Sequence, residues 1–197
     1  MSLQSIAKKH RHPEYPCSPL FYTRWSPRAM TGESIPKEEL LALFEAARWA
    51  PSSRNNQPWR FVIAIGKNKE QFLHFLGERN QIWCKNAAAL VVVCSSTTFE
   101  YDGSPSKTHS SDTGAACMSL ALEGARRGLV VHAMEGFDYD RASRELKVPT
   151  NYKVELMITI GKLAKSSILP EELAKREIPN QRKPLKEIIS WEEFIWK

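Results

Sequence analysis

The strongest constraint on the fold is the run AAALVVVC at residues 87–94, which contains no polar or charged side chain. A strand with this pattern is covered on both faces, because neither row of side chains can meet water. Three more short segments read as strands: RFVIAI at 60–65, LVVHA at 129–133 and KVELMITIG at 153–161. The chain therefore predicts a sheet of about four strands with helices on its faces.

Helical patterns separate these strands. After Pro36, the apolar residues Leu40, Leu43 and Ala47 recur at a spacing that places them on one helical face. Asp112 is predicted to cap a long helix rich in Ala and Gly, which Gly128 ends. A short helix is predicted over residues 140–147. Alternating helices and strands, without repeats or linkers, predict an α/β or α+β sandwich.

The two ends of the chain differ from its middle. Residues 1–22 are polar and contain Pro13, Pro16 and Pro19, which predicts an extended arm without helix. Residues 23–197 are expected to form a single domain. That domain includes the tail after Pro184, which is too apolar to be disordered and is expected to dock.

Composition narrows the function classes. The 197 residues are 42% hydrophobic and 25% charged, as in globular domains, and the net charge of +6 favours anionic partners. The positive charges are scattered and no nucleic-acid motif is present, so a nucleic-acid partner is not expected. The four cysteines lack metal-site spacing, so no metal is expected; Cys84, beside Lys85, is the thiol whose reactivity stays open. Without a secretory signal or a long apolar run, a cytoplasmic protein with no membrane partner is expected.

Two polar stretches suggest a binding site. Residues 49–61, WAPSSRNNQPWRF, concentrate hydroxyl and amide groups that suit a planar ligand with polar edges, or simply a local turn. Residues 23–30, TRWSPRAM, place Arg24 and Arg28 around Ser26 in a turn restrained by proline. Two guanidiniums and a hydroxyl suit a phosphate group, although surface arginines in water give the same pattern.

Together, RWSPR and ARWAPSSRNNQPWRF resemble the nitroreductase family of FMN-dependent oxidoreductases. Weaker similarities follow in family order: NQIWCKNAAALVVVC, DTGAACMSLALEGARRGLVVHAMEGFD, IGKL and RKPLKEII. The resemblance covers about residues 20–190. It implies an α+β fold, a three-layer sandwich with a central, mainly antiparallel sheet flanked by helices. It also implies a homodimer that exchanges terminal segments and holds FMN at the interface.

The resemblance assigns the FMN contacts to both subunits. In one subunit, the phosphate and ribityl contacts are Arg24, Trp25, Ser26 and Arg182. The ring contacts are Arg28 and Asn80 at the pyrimidine edge, with backbone N–H groups of Glu135 and Gly136 towards N5. The partner subunit supplies Ser52, Ser53 and Asn55, with Gln57 nearby.

The implied chemistry is ping-pong hydride transfer from NAD(P)H through flavin N5 to an electron-poor small molecule, such as a nitroaromatic or a quinone. No side chain is implied as a catalytic acid or base. No Rossmann glycine fingerprint is present, so NAD(P)H is expected to bind transiently over the flavin. The alternatives are another reaction of reduced FMN (dehalogenation, substrate oxidation or flavin breakdown), non-catalytic flavin binding, or a basic nucleic-acid binder. Residues 95–111 stand where larger relatives insert helices, which leaves the substrate pocket undefined.

Overall fold

A four-stranded antiparallel sheet forms the centre of the molecule. The computed structural model of the chain describes residues 2–196. The strands are β1 (Trp59–Ile65), β2 (Ala89–Ser96), β3 (Leu129–Met134) and β4 (Tyr152–Lys162), in the spatial order β1-β2-β4-β3. All four predicted strands are confirmed, each with ends within two residues of the predicted ones. β1 and β3 are the edges of the sheet.

Helices flank this sheet. The described residues hold α1 (Leu3–Lys8), α2 (Pro19–Thr23), α3 (Lys37–Arg48), α4 (Lys69–Leu73), α5 (Glu78–Cys84), α6 (His109–Arg126), α7 (Tyr139–Glu145) and α8 (Glu171–Ala174). Short 3-10 turns occur at Ser53–Asn55, Gly66–Asn68, Ser166–Ile168 and Leu185–Glu187. The α+β sandwich is thus confirmed.

β2 is buried along its whole length and serves two cores. Val91 belongs to the core that holds Leu43 of α3 and Leu120 of α6. Its neighbour Val92 faces the other way, into the core that holds Trp83 of α5. Successive side chains of a strand point to opposite faces, so an uninterrupted apolar run is what a double-covered strand requires.

The small residues of α6 allow a close approach to the sheet. A Cβ atom added to Gly124 would lie 2.4 Å from Cγ2 of Val131 on β3 and 3.5 Å from a methyl group of Leu43. Only glycine fits at this contact without movement of its neighbours. α6 therefore packs closely against β3.

The prediction of an extended N-terminal arm is wrong. α1 forms before Pro13, the first proline, and buries Leu3 and Ala7 against the domain. Pro19 occupies the first position of α2, where its missing N–H costs nothing. α2 also crosses the boundary expected at residue 22, so the arm is partly helical and continues directly into the domain.

Two predicted helix starts shift by a few residues. α6 begins at His109, so Asp112 lies in its first turn instead of at its cap. α7 begins earlier than predicted because Asp138, and not Asp140, accepts a backbone N–H as the N-cap residue. Gly128, with φ of +77°, follows the end of α6 as predicted.

Candidate functional site

A cavity of about 610 Å³ lies between the turn at residues 24–28 and the C-terminal segment at 175–182. Four of the predicted site residues line it: Arg24, Trp25, Ser26 and Arg28. Arg182, predicted from the other end of the chain, joins them. Three further cations that sequence reasoning missed also line the cavity: Arg11, Lys175 and Arg176. We call this space the cation pocket.

The charges of the cation pocket repel one another. Burial, with the neighbouring Arg182 and Arg24, lowers the pKa of Arg11 to about 10. Burial and Arg182 likewise lower the pKa of Arg24. The Nε atom of Arg24 is buried without a hydrogen-bond partner, while its Nη1 lies 3.4 Å from Oγ of Ser26. Guanidiniums that disfavour one another create a positive potential that an anion would relieve.

Arg11 is also a structural anchor. Its Nε donates to the carbonyl oxygen of Asn180 at 2.8 Å, and its Nη1 donates to those of Tyr22 and Arg24, the former at 3.2 Å. One buried side chain therefore joins the N-terminal arm, the arginine turn and the C-terminal segment. The pocket is assembled from three distant parts of the chain.

Glu177 is the acidic group that restrains the arginine turn. Its Oε1 accepts backbone N–H groups of Arg28 at 2.5 Å and of Ala29 at 2.7 Å, and its side chain is only 4% exposed. Oε2 lies 3.8 Å from Nη1 of Arg28. The carboxylate fixes the backbone of residues 28–29, and it neutralises part of the charge of Arg28. Sequence reasoning missed Glu177, since nothing local marks it.

His132 of β3 forms part of the pocket wall and was also missed. Its Nδ1 lies 3.0 Å from the carbonyl oxygen of Pro27, so this nitrogen carries the proton and donates it. The ring packs on Trp83, with centroids 4.6 Å apart. Burial lowers the pKa of His132 to about 4, against the opposing effect of the bond to Pro27. A neutral imidazole is thus held behind the arginine turn.

The remaining predicted ring contacts lie at the end of β3. Asn80 of α5 donates from Nδ2 to the carbonyl oxygen of Gly136 at 3.0 Å, and both residues line a second cavity of about 920 Å³. A Cβ at Gly136 would lie 3.1 Å from that amide nitrogen, so any larger residue here would push the Asn80 side chain away by a few tenths of an ångström. Glu135, just before it, is exposed. Three residues, 133–135, lie between His132 in the cation pocket and Gly136 in this cavity.

The serine- and asparagine-rich loop lies elsewhere. Arg54, Asn55 and Gln57 all adopt positive φ, at +52°, +56° and +48°, which is unusual for residues with side chains. Ser52 Oγ accepts the backbone N–H of Gln57 at 3.0 Å, and Ser53 N–H donates to Oδ2 of Asp112 at 3.0 Å. These hydrogen bonds hold the loop in its strained form.

The structure does not bring this loop together with the other predicted residues. Asn55 and Gln57 line a separate cavity of about 300 Å³, which shares no lining residue with the cation pocket. Within one chain, the twelve predicted residues therefore fall into a cation pocket, a cavity beside Asn80 and a loop apart from both.

His109 is held away from any of these cavities. Its Nδ1 lies 2.7 Å from Oγ of Ser95, and Oε1 of Glu155 accepts hydroxyl hydrogens of Ser95 and Ser110, both at 2.6 Å. Glu155 is the extra residue of a bulge, where β4 shifts register against β2. The group forms a closed structural network at the start of α6.

Cys84 is a buried thiol. Its Sγ lies 3.4 Å from Sδ of Met134, and burial raises its pKa far above the usual range. Within residues 2–196, no cluster of three or more His, Cys, Asp or Glu side chains could hold a metal ion. The same part of the chain contains no helix with the length and apolar character needed to cross a membrane.

Comparisons with known proteins place the chain in a family. The sequence model of the Nitroreductase family matches residues 22–80 and 66–162. The chain belongs to the nitroreductase family.

Two relatives illustrate the similarity. A crystal structure described as an oxidoreductase containing FMN is 45% identical, with a TM-score of 0.91, covering 95% of this chain and 97% of that one. A nitroreductase-family protein from Clostridium difficile is 24% identical with a TM-score of 0.69, over 89% and 97% of the two chains, and shares the fold.

A further relative matches over a shorter stretch. An oxygen-insensitive NADPH nitroreductase from Helicobacter acinonychis is 43% identical over 58 residues, which make up 29% of this chain and 28% of that protein.

Proposed function

We propose that the protein is an FMN-dependent oxidoreductase and that the cation pocket receives the FMN phosphate. The observation that carries the proposal is the set of uncompensated guanidiniums, above all Arg24 with its unpartnered Nε and Arg182. A phosphate dianion accepts several charged hydrogen bonds, and arginine donates them in a forked geometry. The related FMN-containing oxidoreductase, at 45% identity, supports the choice of FMN among phosphate ligands.

The other residues fit the rest of the cofactor. Ser26 and the backbone of Trp25 adjoin the ribityl chain; the indole of Trp25 is turned inward, where its Nε1 donates to the carbonyl oxygen of Leu3 at 3.3 Å. Arg28 and Asn80 serve the pyrimidine edge of the ring. The exposed backbone at Glu135 and Gly136 offers N–H groups towards N5.

When bound, FMN would supply the hydride exchange between NAD(P)H and an electron-poor acceptor such as a nitroaromatic or a quinone. The chain binds and orients the two reactants. The guanidinium of Arg28 favours negative charge at the pyrimidine edge, and Glu177 keeps that arginine in place. No side chain of the chain is assigned as a proton donor or acceptor.

We further propose a homodimer in which the partner supplies Ser52, Ser53, Asn55 and Gln57. Two features of the chain support it besides the separate location of these residues. The edge strand β1 exposes Val62, Ile63 and Ile65, and the tail exposes large apolar side chains: Ile188, Ile189, Trp191, Phe194 and Ile195. Exposed apolar side chains on a tail and on an unpaired edge strand are unfavourable in water. Exchange of tails between two copies would bury both surfaces. Residues 23–197 then act as one domain, and the arm at 1–22 packs into its core through α1 and completes the cation pocket with Arg11.

An absorbance spectrum of the purified protein, taken anaerobically before and after NADH or NADPH, tests the function. We expect a flavin spectrum that bleaches with either nucleotide and returns when a nitroaromatic or quinone is added. Protein that takes up no FMN would overturn the proposal. Bound flavin that neither nucleotide bleaches would contradict the NAD(P)H step.

Light scattering on a size-exclusion column tests the dimer. We expect about twice the chain mass of 22.5 kDa for the whole protein, and loss of the dimer when residues 188–197 are removed. A whole-length monomer that binds FMN fully would contradict the assignment of the serine-rich loop to the partner's site.

A further inference from the structure

Residues 97–106 form a closed hairpin, within the segment 95–111 whose ends belong to β2 and α6. Thr98 and Pro105 form a β-bridge, and backbone N–H groups of Phe99 and Ser106 donate to carbonyl oxygens across the hairpin at 2.8 Å. Gly103, with φ of +72°, makes the turn at its end. Such internal bonds give this segment a defined shape from which side chains can be presented.

The hairpin is fastened to the serine-rich loop. Asn56 donates from Nδ2 to the carbonyl oxygen of Thr98 at 3.2 Å, and its Oδ1 accepts the backbone N–H of Glu100 at 3.0 Å. Arg60 of β1 adds an ion pair with Glu100 at 2.7 Å. The 300 Å³ cavity lies between the two segments.

Arg54 projects over this junction. Its Cζ lies 5.5 Å from the ring centroid of Phe99 and 5.4 Å from that of Tyr101, and its Nη1 donates to the Tyr101 hydroxyl. Two aromatic rings thus fix the direction of an exposed guanidinium.

Hydrogen bonds from Ser104 and, to a lesser extent, the charge of Arg54 lower the pKa of nearby Asp102, but the side chains of Arg54 and Asp102 do not form a salt bridge, so the guanidinium can still pair with a ligand. The acidic groups nearby are occupied, since Glu100 pairs with Arg60 and Asp102 accepts the hydroxyl and backbone hydrogens of Ser104. Among the described residues, Arg54 forms no ion pair. The φ of +52° at Arg54 is unfavourable for a residue with a side chain, so holding Arg54 in this conformation costs some folding stability.

We propose that Arg54, supported by Phe99 and Tyr101, recognises a carboxylate on the electron acceptor and makes the enzyme prefer anionic aromatic acceptors. This rests on the proposed function, because Ser53 and Asn55, on either side of Arg54, are the residues assigned to the partner's FMN. An acceptor over that ring lies beside the guanidinium. A planar guanidinium pairs with a carboxylate in a forked geometry, and Tyr101 offers an aromatic face to the same ligand.

The test uses acceptors that differ in charge and little in shape. For the holoenzyme, kcat/KM is measured with 4-nitrobenzoate and with 4-nitrobenzamide, and binding of benzoate and of benzamide is measured by perturbation of the flavin absorbance. We expect Arg54→Gln to lower kcat/KM for 4-nitrobenzoate about fivefold, as loss of one partly screened ion pair does, and to leave the amide nearly unchanged. Benzoate binding should weaken by the same factor, and added salt should diminish the difference.

Arg60 provides the matched control, because its guanidinium lines the same cavity and is already paired with Glu100. The control is therefore made as the double variant Arg60→Gln/Glu100→Gln, which removes the paired cation and anion together and leaves the net charge beside Arg54 unchanged. This double variant should affect both acceptors equally. The proposal would be overturned if Arg54→Gln changed the binding constants of benzoate and benzamide alike. It would also be overturned if this variant slowed only the reaction with NADPH. If neither nitro compound is reduced by wild-type protein, the proposed acceptor class fails, while the benzoate and benzamide constants still decide the role of Arg54.

Discussion

The backbone N–H of Ser53 donates to Oδ2 of Asp112 at 3.0 Å, so the first turn of α6 holds the strained serine-rich loop. The same oxygen accepts the hydroxyl of Thr108 at 3.0 Å. A carboxylate that bonds a backbone N–H is a strong restraint on the loop it holds. Asp112 therefore positions Ser53, one of the residues proposed to reach the partner's FMN.

Replacement of Asp112 by alanine should loosen this loop. We expect a loss of about 1 kcal/mol in the free energy of unfolding, the contribution of one hydrogen bond, and weaker FMN binding by several fold. Urea unfolding and an FMN fluorescence titration measure the two effects. Asp140→Ala, in the first turn of α7, controls for the loss of an acid near a helix start. Equal FMN affinity in the two variants would show that Asp112 does not position the site.

Arg182 should discriminate FMN from riboflavin. Arg182→Gln is expected to weaken FMN binding about tenfold, since one charged hydrogen bond to phosphate is lost, and to leave riboflavin binding unchanged. Titration of apoprotein with each flavin measures the ratio. The neighbouring Lys183→Gln serves as the control, because Lys183 does not line the cation pocket. A similar loss for both flavins would place Arg182 away from the phosphate.

His132 should make the apoprotein sensitive to acid. Its pKa is about 4 in the folded protein and about 6.5 when unfolded, so between these values the unfolded chain binds a proton that the folded one does not. Stability should therefore fall by up to roughly 3 kcal/mol as the pH drops from 6.5 to 4. His132→Gln should remove this pH dependence, because the group that takes up the extra proton in the unfolded chain is gone. Free energies of unfolding measured across this pH range that fall in parallel for His132→Gln and for the wild type would contradict the burial of a neutral imidazole.

Two glycines of α6 should respond in opposite ways to alanine. At Gly124 the new methyl group would meet Val131, whose branched side chain moves little, so we expect a loss of about 1–3 kcal/mol. At Gly114 nothing lies within 4 Å of the new atom, so the better helix propensity of alanine should stabilise the protein by about 0.5–1 kcal/mol. Thermal unfolding of the two variants decides. A stabilised Gly124→Ala variant would contradict the close contact of α6 with β3.

The strands could be predicted because their signal lies within each segment. The apolar run of β2 and the alternation in β4 reflect burial, and burial requires the same residue types wherever the helices lie. Helix starts were less certain. A capping residue is one of several polar residues in a row, and Asp112 instead bonds a loop 59 positions earlier in the chain.

The site was predictable only where its residues form a local motif. RWSPR marked the arginine turn, yet Arg11 and His132 reach the same pocket from distant segments, without a pattern that a reader of the sequence could connect. Glu177, also distant in sequence, holds the backbone of that turn. Glu177 accepts hydrogen bonds from backbone N–H groups, which nearly every residue type has, so the identity of its partners does not reveal the contact. Long-range contacts of this kind follow from the fold and become visible only with it.

The separation of the serine-rich loop from the cation pocket has a genetic consequence. In the dimer proposed above, a chain altered at Arg24 and a chain altered at Asn55 would each be inactive alone. A mixed dimer would pair the intact arginine turn of one chain with the intact loop of the other, which restores one of its two sites. After random reassembly of equal amounts, roughly one quarter of all sites would be whole, so two defective alleles could complement each other in one cell.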